Sequence, residues 1–92
     1  VDTTLEVSIG QVVKSKAGRD KDRVFIVIGI VDHQYVLIAD GDLRKADKPK
    51  KKKVRHLAKY NIISEEVKQQ IKNKGKISNL LLRRELEKLG LS

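Results

Sequence analysis

Sixteen residues, Arg44 to Lys59, hold nine lysines and arginines against one acid, Asp47, for a net charge of +8. The stretch DKPKKKKVRH, Asp47–His56, is the densest part. Such a run offers no nucleophile and no thiolate ligand. The chemistry open to it is the neutralisation of phosphates, since each phosphate neutralised releases condensed counterions and gives strong, salt-dependent affinity. The rest of the chain carries twelve bases and eleven acids, net +1, so nearly all of the overall +9 is concentrated here. Clustered like charges repel, and an anionic partner would relieve that cost. A solvated, disordered run and a nuclear sorting address are the competing readings. The window lies between two strand-like segments, so it reads as a loop inside the fold, not as a tail.

A second basic segment precedes it. KSKAGRDKDR supplies Lys14, Lys16, Arg19, Lys21 and Arg23, while Asp20 and Asp22 reduce its net charge to +3. Its plain reading is a hairpin tip with self-compensating ion pairs. Its sharper reading rests on arginine, whose planar fork holds a phosphate through two hydrogen bonds. Gly18 would let a sugar-phosphate chain approach the backbone closely. The candidate contact set is therefore Lys14, Lys16, Arg19, Lys21, Arg23, Arg44, Lys45, Lys48, Lys50, Lys51, Lys52, Lys53 and Arg55.

Other chemistry is poorly represented. The chain has no cysteine, which removes disulfides and thiolate metal sites and fits a reducing compartment. His33 lies in a turn and His56 beside the basic run, neither with a metal-ligand spacing. Asp40-Gly41-Asp42 resembles the start of a calcium loop, but the twelfth position is Lys51 where a bidentate glutamate is needed. No phosphate-cradling glycine loop or nucleophile elbow is present. The aromatics are Phe25, Tyr35 and Tyr60. Phe25 reads as core, and Tyr35 as edge or core. Single-strand readers stack bases on aromatic platforms, and this chain offers no convincing one. Recognition by backbone charge and shape, with folded RNA as target, is the expectation.

These residues must be held by a small domain, since 92 residues make one unit with at most a short appendage. Gly10–Ser15 reads as a strand. Val24–Asp32 is apolar and β-branched throughout, so it should be covered on both faces or sit centrally. Gly29 within it predicts a bulge. Asp32–Gln34 is a turn and Tyr35–Asp42 the return strand. Pro49 excludes a helix interior and biases Lys48 toward extended backbone. Val54 and Leu57 cannot share one strict strand face, so a break intervenes before Asn61–Ser64 closes the strand region.

The period then changes. Ser64 is an N-cap followed by Glu65 and Glu66, Val67 and Ile71 make an apolar i, i+4 pair, and Lys74 and Gly75 end the helix. Ser78 caps a second helix with Leu82, Leu86 and Leu89 on one face, an Arg83–Glu87 pair, and Gly90 as terminator. The longest apolar run, VFIVIGIV, suits a strand and is far short of a membrane span of about 20 residues. The start VDTTLEVSIG lacks the basic n-region of a secretory signal, and the fold is expected from Glu6 onward.

EVSIGQVVKSKAGRDKDRVFIVIGIVDHQYVLIADGD resembles the KOW motif and its following hairpin. With the basic segment, the His56-Leu57 pair and SEEVKQQIKNKG, the chain resembles large-subunit ribosomal proteins of archaeal and eukaryotic type, in the KOW-containing fourteen-e class. It is closer still to a small bacterial branch of KOW-domain RNA-binding proteins. The resemblance covers about residues 6–75. It implies a mostly β fold: an SH3-like barrel of four or five strands over 6–63, with basic loop 44–59, and a helical extension over 64–92. It implies a cytoplasmic protein that binds ribosomal RNA or a related structured RNA, without catalysis or cofactor. RNA contacts would come from Lys14, Lys16, Arg19, Lys21 and Arg23 and from Lys48 to Lys53 with Arg55. The last helix would meet the barrel or a ribosomal protein. Asp22 stands where the motif has glycine. Aspartate tolerates the left-handed turn required there, but its carboxylate repels phosphate. A KOW-type protein-interaction module using an exposed strand edge, and attachment to anionic lipid, are the alternative readings.

Overall fold

The apolar run VFIVIGI becomes the middle strand of a five-stranded antiparallel sheet, and both faces are covered over Phe25–Val27. The computed structural model describes residues 7–73 and 75–90. Strands β1 (Gln11–Ser15), β2 (Val24–Ile30), β3 (Tyr35–Ala39), β4 (Lys50–Lys53) and β5 (Leu57–Ile63) pair in the order β4-β3-β2-β1-β5. Helices α1 (Glu65–Lys72) and α2 (Asn79–Lys88) follow. This is the mostly β, SH3-like arrangement with two terminal helices that the resemblance implies.

Because side chains alternate across a strand, β2 feeds two cores. Phe25 and Val27 join Val13, Val36, Ile38, Val54 and Leu57 on one side of the sheet. Ile26 joins Val12 and Ala39 on the other, where Val67 of α1 and Leu82 and Leu86 of α2 cover them. Over Phe25–Val27 strand β2 needs no polar face because both faces are buried, whereas its end at Ile30 is exposed.

Three local expectations hold. The β2–β3 register shifts between Val27 and Gly29, placing a bulge at the strand glycine. A 3-10 turn, Val54–His56, breaks the chain between β4 and β5, so Val54 and Leu57 reach the same core. Ser64 Oγ accepts from the Val67 amide at 3.3 Å and Ser78 Oγ from Leu81 at 3.0 Å, capping the two helices.

Other expectations need correction. Residues 44–59 are not a loop: β4, the 3-10 turn and the start of β5 occupy 50–59, and the β3–β4 loop ends at Pro49. Four lysines can build a strand because β4 is an edge, where one side of the ladder and alternate side chains face solvent. Helix α1 stops at Lys72, with the Gly75 amide bonded back to Gln70 O at 2.8 Å. Lys74 lies outside the described residues, as do residues 1–6 and 91–92. Among the described residues the ion pair on α2 joins Glu85 to Lys88 at 3.8 Å, not Arg83 to Glu87. Glu85 is turned inward, where its Oε1 accepts the Ser64 hydroxyl at 2.7 Å.

Replacing Leu82 by alanine should lower stability by about 2–5 kcal/mol, the cost of a cavity beneath α2. Leu80→Ala, on the 56% exposed neighbour, should change it by less than about 0.5 kcal/mol. Urea midpoints of the two variants check this, and equal losses would mean that α2 does not pack as described.

Candidate nucleic-acid interface

Alternation along β4 divides its lysines into two sets. Lys50 and Lys52 lie opposite Ile38 and Val36, on the side of the first core. Lys51 and Lys53 lie opposite Leu37 and Tyr35, on the other face. A lysine can occupy an inward position by covering apolar neighbours with its stem while its ammonium reaches a polar acceptor. Lys52 does so: it is 8% exposed, and its Nζ donates to Ala17 O at 2.9 Å. Lys50 Nζ stands 3.4 Å from Asp20 Oδ2.

Asp20, in the β1–β2 loop, is only 1% exposed. Arg44 Nη2 donates to both of its carboxylate oxygens at 3.3 Å. Burial pushes the Asp20 carboxyl up, but the Arg44 and Lys50 charges and their hydrogen bonds outweigh it, and its pKa lies below the usual 3.8. One carboxylate thus ties together the β1–β2 loop, the β3–β4 loop and strand β4. The two basic segments, apart in sequence, meet here.

Neighbouring acids organise the rest. Asp40 Oδ1 accepts the amides of Asp42 and Arg44, both at 2.9 Å, and shapes the turn that starts the β3–β4 loop. Its Oδ2 holds Arg23 Nη2 at 3.4 Å. The turn is clamped from α2: the Asn79 side-chain oxygen accepts the Ala46 amide at 2.7 Å. Gly41, at φ +79°, lies against the Asn79 carbonyl so closely that any Cβ would collide with it. Asp22 adopts φ +72°, a left-handed conformation that aspartate tolerates better than most residues, and its carboxylate stands 4.0 Å from Lys14 Nζ.

The thirteen candidate cations therefore separate by role. Arg44, Lys50 and Lys52 serve internal acceptors, so neutralising the whole lysine run would not leave the fold intact. Arg23 and Lys14 are paired with acids and keep part of their surface in water. Lys16, Arg19, Lys21, Lys45, Lys48, Lys51 and Arg55 are exposed and Lys53 partly so. None of these eight forms an ion pair among the described residues. The Lys16 amide donates to His56 O at 2.8 Å, which sets the β1–β2 loop beside the Arg55–His56 turn. Arg19 and Lys21 flank Asp20 in the same loop.

Two features escape a reading of the sequence. Asp20 reads there as a diluting charge, although an acid between two basic residues can equally be their anchor. Tyr35 reads as either edge or core. The structure places it on the outer face beneath Lys51 Nζ, 4.6 Å from the ring centroid, and Lys53 Nζ, 5.9 Å away. Across the hairpin, the Asp32 carboxylate accepts the Gln34 and Tyr35 amides, at 2.8 and 2.9 Å, and those bonds hold its pKa below the usual value. No group of three or more potential metal ligands exists among the described residues. No helix among them is long and apolar enough to cross a membrane.

Fold and site together define a five-stranded antiparallel domain, capped by two helices, with cations displayed along one edge strand and two loops. No family model matches the chain. It is 37% identical over 71 residues to a Bacillus subtilis (strain 168) protein named "Putative ribosome-binding protein YbzG", an alignment covering 77% of this chain and 96% of that one. The chain belongs to the family of that protein.

Asp20→Asn keeps the shape and removes the charge. It should cost about 1–3 kcal/mol, the range for hydrogen bonds to charged groups, and fall in the lower half because Arg44 and Lys50 remain 32% and 33% exposed. A lowered folded-state pKa means that the unfolded chain binds the proton first. The native Asp20 contribution is therefore complete above its ordinary value of 3.8 and is lost as pH falls through the folded value. Denaturation profiles across that acid range should show this loss in the native protein and a correspondingly smaller one in Asp20→Asn. Identical acid limbs would refute the role given to Asp20.

Proposed function

We propose that this protein is a non-enzymatic, cytoplasmic RNA-binding domain that associates with ribosomal particles, with ribosomal RNA as its direct ligand. The observation that carries the reading is the set of eight cations that form no ion pair among the described residues, held out by strand β4, the turn after it and two loops that Asp20 fastens together. A compact domain with an excess of nine positive charges gains most from a polyanion, and RNA supplies phosphates at close, regular spacing. The relative's name supports the ribosomal setting. The KOW resemblance supports the choice of loop: Gly18 and Asp22 both adopt left-handed backbone within the segment the motif would occupy. Lys51 and Lys53 would meet phosphates from the edge strand, Arg55 from the 3-10 turn after it, and Lys16, Arg19 and Lys21 from the β1–β2 loop. Lys45 and Lys48 would meet them from the β3–β4 loop. The helices hold this surface in place and leave α2 with an outer side for a ribosomal protein.

A second reading has one observation in its favour. Strand β4 ends the sheet with one side of its ladder unpaired among the described residues, and a partner protein could add a strand there. Salt separates the two. Phosphate contacts weaken linearly in log–log form, by about 0.7–0.9 per contact, whereas a strand-addition interface resting on backbone bonds responds less.

Co-sedimentation with ribosomal particles at graded salt should give the steep dependence. The double variant Lys51→Gln/Lys53→Gln should lower affinity for all RNA sequences alike and flatten the slope by about 1.4–1.8. An unchanged slope would remove β4 from the contact surface. Within the β1–β2 loop, Arg19→Ala should weaken RNA binding more than Lys21→Ala, because only arginine can grip a phosphate with two parallel bonds. Equal losses in a filter-binding assay would count against that grip.

A further inference from the structure

The helices do not cover the whole of their side of the sheet. They lie over Val12, Ile26 and Ala39. Further along the same face of β3, Leu37 and Tyr35 remain partly exposed. Val31 continues this face: its amide donates to Tyr35 O at 3.0 Å, and the residue is 47% exposed. Leu37 lies flat over Gly29, where a Cβ would come within 3.0 Å of it. The result is a partly exposed apolar strip beside one aromatic ring at the end of the sheet. Lys51 and Lys53 stand over that ring.

We infer that Tyr35 is a stacking platform for an unpaired nucleotide of RNA, with Lys51 and Lys53 taking the phosphates on either side of the stacked base. The inference rests on the RNA-binding reading and adds the class of target: a single-stranded or bulged segment, as opposed to an uninterrupted duplex. Three observations carry it. The ring is accessible on an uncovered face. Its apolar neighbours Leu37 and Val31 are themselves partly open to solvent, which leaves room for a base plane beside the ring. The charges beside it complement a phosphate backbone: no carboxylate lies within ion-pair distance of them among the described residues, and the one that acts on Lys51 from further off, Asp32, is occupied by the Gln34 and Tyr35 amides. An exposed cation–π contact is weak, so each ammonium can swing from the ring to a phosphate while a base takes its place. The base–ring stack exchanges one π contact for a larger one, and the lysines exchange a quadrupole for a full negative charge. Stacking tolerates any base, so the site would select for unpaired structure and not for sequence.

The test uses the full chain and two labelled probes, a short single-stranded oligoadenylate and a blunt-ended RNA duplex. Tyr35→Leu keeps an apolar side chain without a π face, and Tyr35→Phe keeps the face. Urea midpoints identify any variant that fails to fold. Tyr35→Leu should weaken single-strand binding by about 5- to 150-fold, the range for loss of one stacked base. It should leave duplex affinity and the salt slope unchanged, and Tyr35→Phe should bind as the native protein does. Lys51→Gln and Lys53→Gln should instead each reduce the single-strand slope by about 0.7. With Tyr60 changed to phenylalanine, the emission of Tyr35 should be quenched by oligoadenylate and not by the duplex. Native-like single-strand affinity in Tyr35→Leu would overturn this inference alone. A native protein that bound neither probe would overturn the RNA-binding reading as well. Binding of an oligoglutamate peptide that depended on Tyr35 as strongly as RNA binding would assign the patch to an acidic protein segment and overturn the inference.

Discussion

A single carboxylate holds the basic surface together. Asp20 is buried, and a buried ionised carboxylate is costly unless it is paired and hydrogen-bonded. Arg44 and Lys50 meet that requirement from two other parts of the chain. The same contacts fix the β1–β2 loop on the β3–β4 loop and on strand β4, which draws cations from three segments to one end of the domain. Without a central negative charge those cations would repel one another and the loops would separate. The acid that dilutes the net charge is thus what allows the remaining positive charge to be displayed in a fixed shape.

Strand β4 shows how one residue type performs two tasks. Period-two alternation sends Lys50 and Lys52 toward the first core and Lys51 and Lys53 toward the outer face. The inner pair acts as structural ties, paired across the ladder with Val36 and Ile38 and with ammonium groups on Ala17 O and Asp20. The outer pair faces solvent and the Tyr35 ring. A run of identical residues therefore contains two chemically distinct positions, and the difference arises entirely from the sheet. A lysine-rich edge also discourages pairing with a second sheet.

Much of the architecture was legible because local and global signals agree. The β-branched run Val24–Ile30 demanded coverage on both faces, Gly29 marked its bulge, and Ser64 and Ser78 marked the helix starts. The spacing of Val54 and Leu57 required a break that the 3-10 turn provides. The basic window was legible as a phosphate-directed surface, but its conformation was not. Lysine has weak strand preference and the run lacks apolar alternation, so only its pairing with β3 makes it a strand. The Asp20 pairing was hidden for a related reason: its partners lie 24 and 30 residues further along the chain, and no local rule joins them. Tyr35 was ambiguous because its exposure depends on where the helices end above the sheet, a tertiary fact.

The Ser64 hydroxyl is shared between two elements. It accepts the Val67 amide at the start of α1 and donates to Glu85 of α2. With Val67, Leu82 and Leu86 packed on Val12, Ile26 and Ala39, this leaves no seam between the strands and the residues after Ile63. The C-terminal helices are a wall of the building and not an annex. A fragment ending at the last strand would turn an oily sheet face to water and release Gly41 and Ala46 from Asn79, so the lysine-bearing loop would lose its shape together with the helices. The tail of this chain and its cation display stand or melt as one body.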